Sequence, residues 1–546
     1  MNSWLNPPAA PLAARAVPSV ARPRPLPMHG FVVAALLLLV VLWTVPAAMF
    51  YASPPWDNVE ELFWGGSMQW GYYKHPPLPS WLMGLPVALA GREAWLTYAA
   101  GVGCGVGALY LLWRWSLDMM LPSRAALALL LGTLVTYHVQ RATIFNHNTV
   151  QLLPMAGYWW MLWRVLRTPA AGQRDWLWLG VFAALSMLTK YSAVVQFAVG
   201  ALFIVREGSW RNARMRRDLL RATAVVLVLM APHLAWLLQH GDQTIGYARH
   251  SVHPSGLAAH VHSRPLRILL VQLARLSPML LFVGWAWFTR ERAPVAVNTA
   301  DAVDAASASA RRNAFDRRFL AWATFGPVCL VLAASTLLHT RLVASWLSTF
   351  FLPVALWAVA MVPGLQAERW SRRRWAGVLA AAALLHVAGS FGQAWVEGVW
   401  SARHGYITRA NLPSRQIAEA VEAVWRERAG DRPLRLMVGD TWFTGAVMLH
   451  MDPATQLLID GDARTSPWLA PGALAREGGM VLVLDTPEFR SEGALLQPLL
   501  ATASCTGSLR LPWAGEDDAR SVRVRWGIVP AEGAPGCLPA PSTDTP

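Results

Sequence analysis

Charge is what this sequence has least of. Only 14% of its 546 residues are Asp, Glu, Lys or Arg, against about 25% in an ordinary soluble domain. That excludes a soluble protein of this size, which needs polar side chains to cover its surface. Lysine is almost missing: among 47 basic residues only Lys74 and Lys190 are lysines. Cysteine is scarce too, with 4 in the whole chain, so any disulfide framework is minimal. What is present is apolar. Hydrophobic residues make up 55% of the chain and there are 30 tryptophans, with a mean hydropathy of +0.33. Disorder and a fibrous repeat are excluded by the same composition, which fits a polytopic membrane protein.

Apolar runs fall at about 31–50, 94–116, 125–142, 150–166, 176–189, 192–205, 222–239, 266–289, 319–338, 343–362 and 375–396. They predict about eleven transmembrane helices, the first of them retained as a span rather than cleaved as a leader. Arginines collect in alternate loops: Arg15, Arg22 and Arg24 in the tail 1–30, then Arg164 and Arg167, the cluster Arg211–Arg221, Arg311–Arg318 and Arg369–Arg374. By the positive-inside rule this puts the N-terminus in the cytoplasm. The net charge of +15 is therefore largely topological and does not indicate a nucleic-acid partner. Residues 293–314 read as a low-complexity cytoplasmic loop. Arg275, inside the eighth run, is expensive in lipid and is expected to face a cavity or a headgroup.

The expected domain layout is a tail over 1–30, a membrane domain over 31–396 and an external α/β domain over 397–546. In the last of these, 414–428 reads as an amphipathic helix, and 434–440, 455–460, 478–485 and 521–529 read as strands. Cys505 and Cys537 both fall there, and an external compartment allows them to form a disulfide.

The first external loop, 51–91, is the most informative stretch. It carries Asp57, Glu60, Glu61, Lys74 and His75 among many aromatic residues. Asp57, Glu60 and Glu61 fit a short helix, and the Pro-rich segment from His75 onward fits an interfacial one. The loop 240–265 holds His250, His253, His260 and His262, whose spacing matches no recognised ligand pattern; it is expected to cover a site.

Two motifs in particular, Asp57-Asn58-Val59-Glu60-Glu61 and Lys74-His75-Pro76-Pro77-Leu78, resemble the first external loop of the GT-C glycosyltransferases. The resemblance is to the bacterial relatives of protein O-mannosyltransferases, including aminoarabinose and galacturonic acid transferases. Leu188-Thr189-Lys190-Tyr191 resembles a further family motif, with Tyr in place of the usual Gly, and His339-Thr340-Arg341 is a weaker match. The family implies a polyprenyl-phosphate sugar as donor and an inverting transfer to a lipid, polysaccharide or protein on the periplasmic face of a bacterial inner membrane. By the same resemblance Asp57 is the base, with Glu60 beside it. Glu61, Lys74, His75, Asn146, His147, Lys190 and Arg341 bind substrate, the cations facing the lipid phosphate. The family often has a second carboxylate near 145–149, where this chain has only Asn146, His147 and Asn148. A divalent cation is a candidate cofactor, although no tight ligand spacing demands it. The alternative readings are a transporter or lipid-sugar flippase and, more remotely, a membrane sensor.

Overall fold

The computed structural model describes residues 28–168, 172–252, 265–289, 303–486, 496–513 and 520–539. Its helical part opens with α1 (Met28–Phe50), the loop helices α2 (Trp56–Gly65) and α3 (Leu78–Ala90), and then α4 (Ala94–Leu117) and α5 (Pro122–Thr133). There follow α6 (His147–Val150), α7 (Leu152–Arg167), α8 (Gln173–Thr189), α9 (Ala193–Arg206) and α10 (Ala213–Val252). The last membrane helices are α11 (Pro265–Phe288), α12 (Val303–Leu338), α13 (Val354–Met361) and α14 (Arg372–Trp395). The chain is a polytopic α-helical membrane protein of the expected class.

Every predicted apolar run contains helix, but the runs are not equivalent. Among the described residues six helices are long and apolar enough to cross a bilayer alone, or seven if Ala344–Phe351 and Val354–Met361, bent by 50°, form one span. The bend falls at Pro353, whose ring cannot continue the preceding turn. Four of the predicted runs form shorter helices, α5, α7, α8 and α9. These have 12, 16, 17 and 14 residues, roughly 18–26 Å at 1.5 Å per residue against a hydrocarbon core of about 30 Å. Neighbouring helices rather than lipid cover much of them: Leu127 and Leu131 of α5 and Met155 and Trp159 of α7 are fully buried. Short helices and open turns are tolerated at membrane depth when protein surrounds them.

The run at 125–142 shows the principle. Helix α5 stops at Thr133, and the chain turns into a 3₁₀ segment, Gln140–Thr143. This turn lies directly on the backbone of α4. A Cβ on Gly105 would come within 1.9 Å of the His138 carbonyl oxygen, and one on Gly101 within 2.0 Å of the Ala142 oxygen. The two glycines thus allow a backbone-to-backbone approach that delivers residues 144–149 to the first external loop.

Two other expectations change. Helix α10 does not end near 239 but runs on to Val252, so the first part of the presumed loop 240–265 is helical. Trp236 stacks on His233 and His240 just before this extension. His253, His260 and His262 lie outside the described residues. The low-complexity segment 293–314 is helical from Val303, where α12 begins; alanine and arginine there favour helix despite the absence of an apolar stripe.

The C-terminal part is an α/β unit. Helix α15 (Ser414–Ala429) buries Ile417, Ala418, Val421 and Trp425 on one face. The five strands are β1 (Leu436–Gly439), β2 (Gln456–Ile459), β3 (Gly479–Leu484), β4 (Cys505–Pro512) and β5 (Ser521–Val529), ordered β2-β1-β3-β5-β4. The first three are parallel, and β5 and β4 add antiparallel. Strand β4 is absent from the sequence reading because it is an edge strand holding Gly507 and ending in Pro512; only its alternating exposure marks it. Cys505 and Cys537 are joined by a disulfide.

This unit sits on the first external loop. Val59 and Phe63 of α2 share a buried cluster with Trp442, Phe443 and Ala446. Trp442 Nε1 donates to the Pro54 carbonyl at 3.3 Å, and Ser414 Oγ donates to that of Ala52 at 2.9 Å.

The glycine contacts on α4 give a first prediction. Gly101→Ala lowers stability in detergent by about 1–3 kcal/mol, because the clash is with a backbone oxygen. Gly103→Ala, where an added Cβ meets nothing within 4 Å, leaves stability unchanged or raises it by about 0.5–1 kcal/mol. Thermal unfolding of the two variants in the same micelles is the measurement.

Candidate active site

The site is built on α2. Pro54 and Pro55 extend the chain up to the helix, and Asp57 falls in the first turn, where the helix dipole favours a carboxylate. Asn58, fully buried, fastens α2 to the membrane helices. Its Nδ2 donates to Thr97 Oγ1 at 2.7 Å and to the Thr143 carbonyl at 3.0 Å, and its Oδ1 accepts from the Phe145 amide at 3.0 Å. Asn146 completes the join. Its Oδ1 caps α6 by accepting from the amides of Asn148 and Thr149, and its Nδ2 donates to Asp57 Oδ2 at 2.8 Å.

The other two carboxylates have different partners. Glu60 accepts from Lys74 Nζ at 2.6 Å. Burial raises the Glu60 carboxyl and opposes the lysine charge, but Glu60 and the phenols of Tyr73 and Tyr247 hold Lys74 protonated, above the usual lysine value. The ammonium also faces the rings of Trp56, Tyr73 and Tyr247, a cation–π cage. Glu61 is 1% exposed and accepts from Ser80 Oγ at 2.7 Å. His147 Nδ1 lies 3.3 Å from its other oxygen, near enough to pair but not aligned as a hydrogen bond. Burial drives both toward neutral forms, raising Glu61 well above and lowering His147 well below their ordinary values. We therefore read Glu61 and His147 as a glutamic acid beside a neutral imidazole. The His75 ring packs on His147 with centroids 3.9 Å apart and is likewise held neutral, by burial first and then by His147 and Lys190.

Lys190 stands at the end of α8 in extended backbone. Its Nζ donates to Asn148 Oδ1 at 2.6 Å and lies over the Trp346 ring. Burial lowers its pKa to about 8, and the Asp57 carboxylate works against that shift. Tyr191, where the family motif has Gly, donates to or accepts from His233 Nε2 at 2.9 Å, and His233 Nδ1 meets the Trp70 carbonyl at 2.7 Å. The loop is thereby tied to α10.

Asp57, Asn146, Asn148 and Lys190 thus form one cluster, and Glu60, Lys74 and His75 lie along its rim. Arg341 lies apart, in the segment leading into Ala344–Phe351, with its Nε buried and without a hydrogen-bond partner among the described residues. Two contributors were missed. Tyr247 comes from the helical extension of α10. Asp460 ends β2 at φ +52°, half-buried; burial raises its carboxyl and Lys74 opposes this. An Asp-Gly step after an apolar strand was the only sequence signal for it. Among the described residues no three His, Cys, Asp or Glu side chains converge as a metal site. The three loop carboxylates each take a separate partner, so this arrangement does not fit a divalent ion.

The chain shows three likenesses to known proteins. Residues 74–236 match the family model described as dolichyl-phosphate-mannose-protein mannosyltransferase. The lipid A galacturonosyltransferase RgtD of Rhizobium johnstonii is 26% identical over 270 residues, covering 46% of this chain and 53% of that protein. The chain thus spans about half the length of this curated relative. The structure of ArnT from Cupriavidus metallidurans bound to undecaprenyl phosphate superposes with a TM-score of 0.56 at 13% identity, covering 91% of this chain and 98% of that one. The apo ArnT structure gives the same score at 14% identity. At such identity the likeness shows a shared fold.

The neutral state of Glu61 is testable. Glu61→Gln keeps an acceptor for Ser80 and changes unfolding free energy by less than about 1 kcal/mol, whereas Glu61→Ala leaves buried groups unpaired and costs about 1–3 kcal/mol. Equal losses in thermal unfolding would show that the charge matters instead.

Proposed function

From its likeness to a mannosyltransferase family model, a lipid A galacturonosyltransferase and the ArnT fold, we propose that this chain is an inverting glycosyltransferase. The donor is a sugar carried on a polyprenyl phosphate. The acceptor is a glycolipid, polysaccharide or protein on the periplasmic face of a bacterial inner membrane. The C-terminal α/β unit stands on that face together with the loop 51–91, and the N-terminus is cytoplasmic.

The observation that carries this reading is the pairing of Asp57 with Lys190 across the Asn146–His147–Asn148 turn. Asp57 is the base. Asn146 holds Oδ2, and Oδ1 takes the proton of the acceptor hydroxyl. The hydroxyl oxygen bonds to the anomeric carbon as the bond from that carbon to the phosphate oxygen breaks. The polyprenyl phosphate leaves with the electron pair, and the Lys190 ammonium stabilises its charge. The Glu60–Lys74 pair, His75, His147 and the asparagine amides position the sugar. The disulfide between Cys505 and Cys537 pins the C-terminal segment to β4. A transporter reading is not favoured. These charged groups gather at one end of the helix bundle, under the α/β unit, rather than at broken helices near the membrane midplane.

Two measurements test the reading. In a transfer assay with an undecaprenyl-phosphate-linked sugar, Asp57→Asn lowers turnover by about 10²–10⁴-fold; full activity would rule out Asp57 as base. Because the charged form of Lys190 is required and its pKa is about 8, turnover falls as pH rises through 8. Lys190→Arg, whose guanidinium stays protonated in this range, moves that fall to higher pH. An unmoved alkaline limb would remove Lys190 from the leaving-group role.

A further inference from the structure

The turn that carries Asp57 begins without a cap of its own. Pro55 stands at the cap position of α2, and its side chain bonds to none of the helix amides, so the turn would fray if nothing else held it. Asn58 and Asn146 hold it from the side of the membrane helices. Toward the α/β unit it presents Trp56, half-buried, at the start of the helix. Among the described residues no hydrogen bond reaches the Trp56 indole. Cations meet its ring instead. Lys74 Nζ lies 5.7 Å from the ring centroid and the guanidinium carbon of Arg409 lies 5.4 Å from it.

Arg409 joins two parts of the protein. Its guanidinium also lies over the Trp442 ring, 5.1 Å from the centroid, so it stands against one indole of the loop and one of the α/β unit. Trp442 follows β1 and is 3% exposed. Its Nε1 donates to the Pro54 carbonyl, just ahead of α2. The backbone under Arg409 is fixed as well. Thr408 and Asn411 form a capping box around it, and Trp513 Nε1 donates to Asn411 Oδ1 at 2.9 Å. The Ala410 carbonyl accepts from the Ala52 amide at 2.8 Å and from the Ser53 amide at 3.3 Å. Lys74, Trp56, Arg409 and Trp442 thus form a run of alternating cations and indoles from the site to the C-terminal unit. A guanidinium suits the place between two indoles, because it is planar, delocalised and weakly hydrated.

We propose that Arg409 is a positioning residue of the transferase: backed by Trp442, it holds Trp56, and through Trp56 it sets the first turn of α2 and one wall of the Lys74 cage. This rests on the transferase reading, in which Asp57 takes the acceptor proton. Asp57 is the next residue after Trp56, so a displaced indole turns the carboxylate away from the acceptor hydroxyl. Rate suffers from such a displacement far more than affinity does, since a misplacement of about 1 Å can cost on the order of 10²-fold. The α/β unit is then part of the active centre, although it acts through Arg409 and not on the reacting atoms.

The experiment uses the full-length protein in nanodiscs, with undecaprenyl-phosphate-linked galacturonic acid as donor and lipid A as acceptor. The variants are Arg409→Ala, Arg409→Gln, the charge-keeping Arg409→Lys, Trp56→Ala and the double variant Arg409→Ala/Trp56→Ala. Arg435→Ala, which removes another exposed arginine of the same unit, is the control. Arg409→Ala is expected to lower kcat about ten- to a hundredfold and to leave KM within about twofold. Arg409→Gln falls equally, and Arg409→Lys recovers at least about a third of the parent rate. The double variant turns over within about twofold of Trp56→Ala alone, because the two residues act in one line. Hydrogen exchange at the amides of residues 56–60 is at least about tenfold faster in Arg409→Ala and unchanged in Arg435→Ala. Unchanged kcat, a raised KM at constant kcat, a fully active Gln variant, or losses that multiply in the double variant would each overturn the proposal. If the Ala variant does not fold, the contrast between Gln and Lys decides. If the parent transfers no sugar between these substrates while Arg409→Ala still speeds exchange in α2, the transferase reading fails for this pair and the clamp on Trp56 stands.

Discussion

Two asparagine side chains hold the external loop of this protein on its membrane helices. Asn58 reaches from α2 to the backbone at 143 and 145, and Asn146 reaches back to Asp57 while capping α6. An amide suits the position because it donates and accepts at once. A carboxylate at 146 could cap the helix but would repel Asp57. This chain has no acid at 145–149, and the neutral amide donor of Asn146 holds the Asp57 carboxylate in place instead.

Burial then divides three neighbouring carboxylates of one short helix into three states. Asp57, at the first turn, accepts a neutral amide. Glu60 is matched by an ammonium held in an aromatic cage. Glu61 is buried with a hydroxyl and an imidazole and is driven toward its protonated form. The residue types are nearly identical, so the difference comes from what the surrounding elements bring to each. The only two lysines are separated in the same way, Lys74 raised by an acid and Lys190 lowered by burial.

Much of this was legible in the sequence. The apolar runs gave the helices, the alternation of apolar residues gave β5 almost to the residue, and the density of charge in 51–91 marked the site. What was not legible depends on distant segments. The lengths of α5 and α9 are set by neighbours that replace lipid. The extension of α10 beyond residue 240 is polar and reads as a loop in the sequence. Tyr247 and Asp460 join the site region from segments far apart in sequence. Strand β4 has the glycine and proline of a turn, and only its pairing with β5 shows it to be a strand.

The contact of Val59 and Phe63 with Phe443 and Ala446 also orders events during biosynthesis. The loop that carries Asp57 is synthesised early. The surface it packs against follows nearly four hundred residues later, on the order of 20–80 s at ordinary elongation rates. Until then α2 has its asparagine anchors but exposes an apolar face to solvent. In a partly made chain the loop therefore lacks the packing partner that finally fixes it, and it becomes complete only with the C-terminal unit.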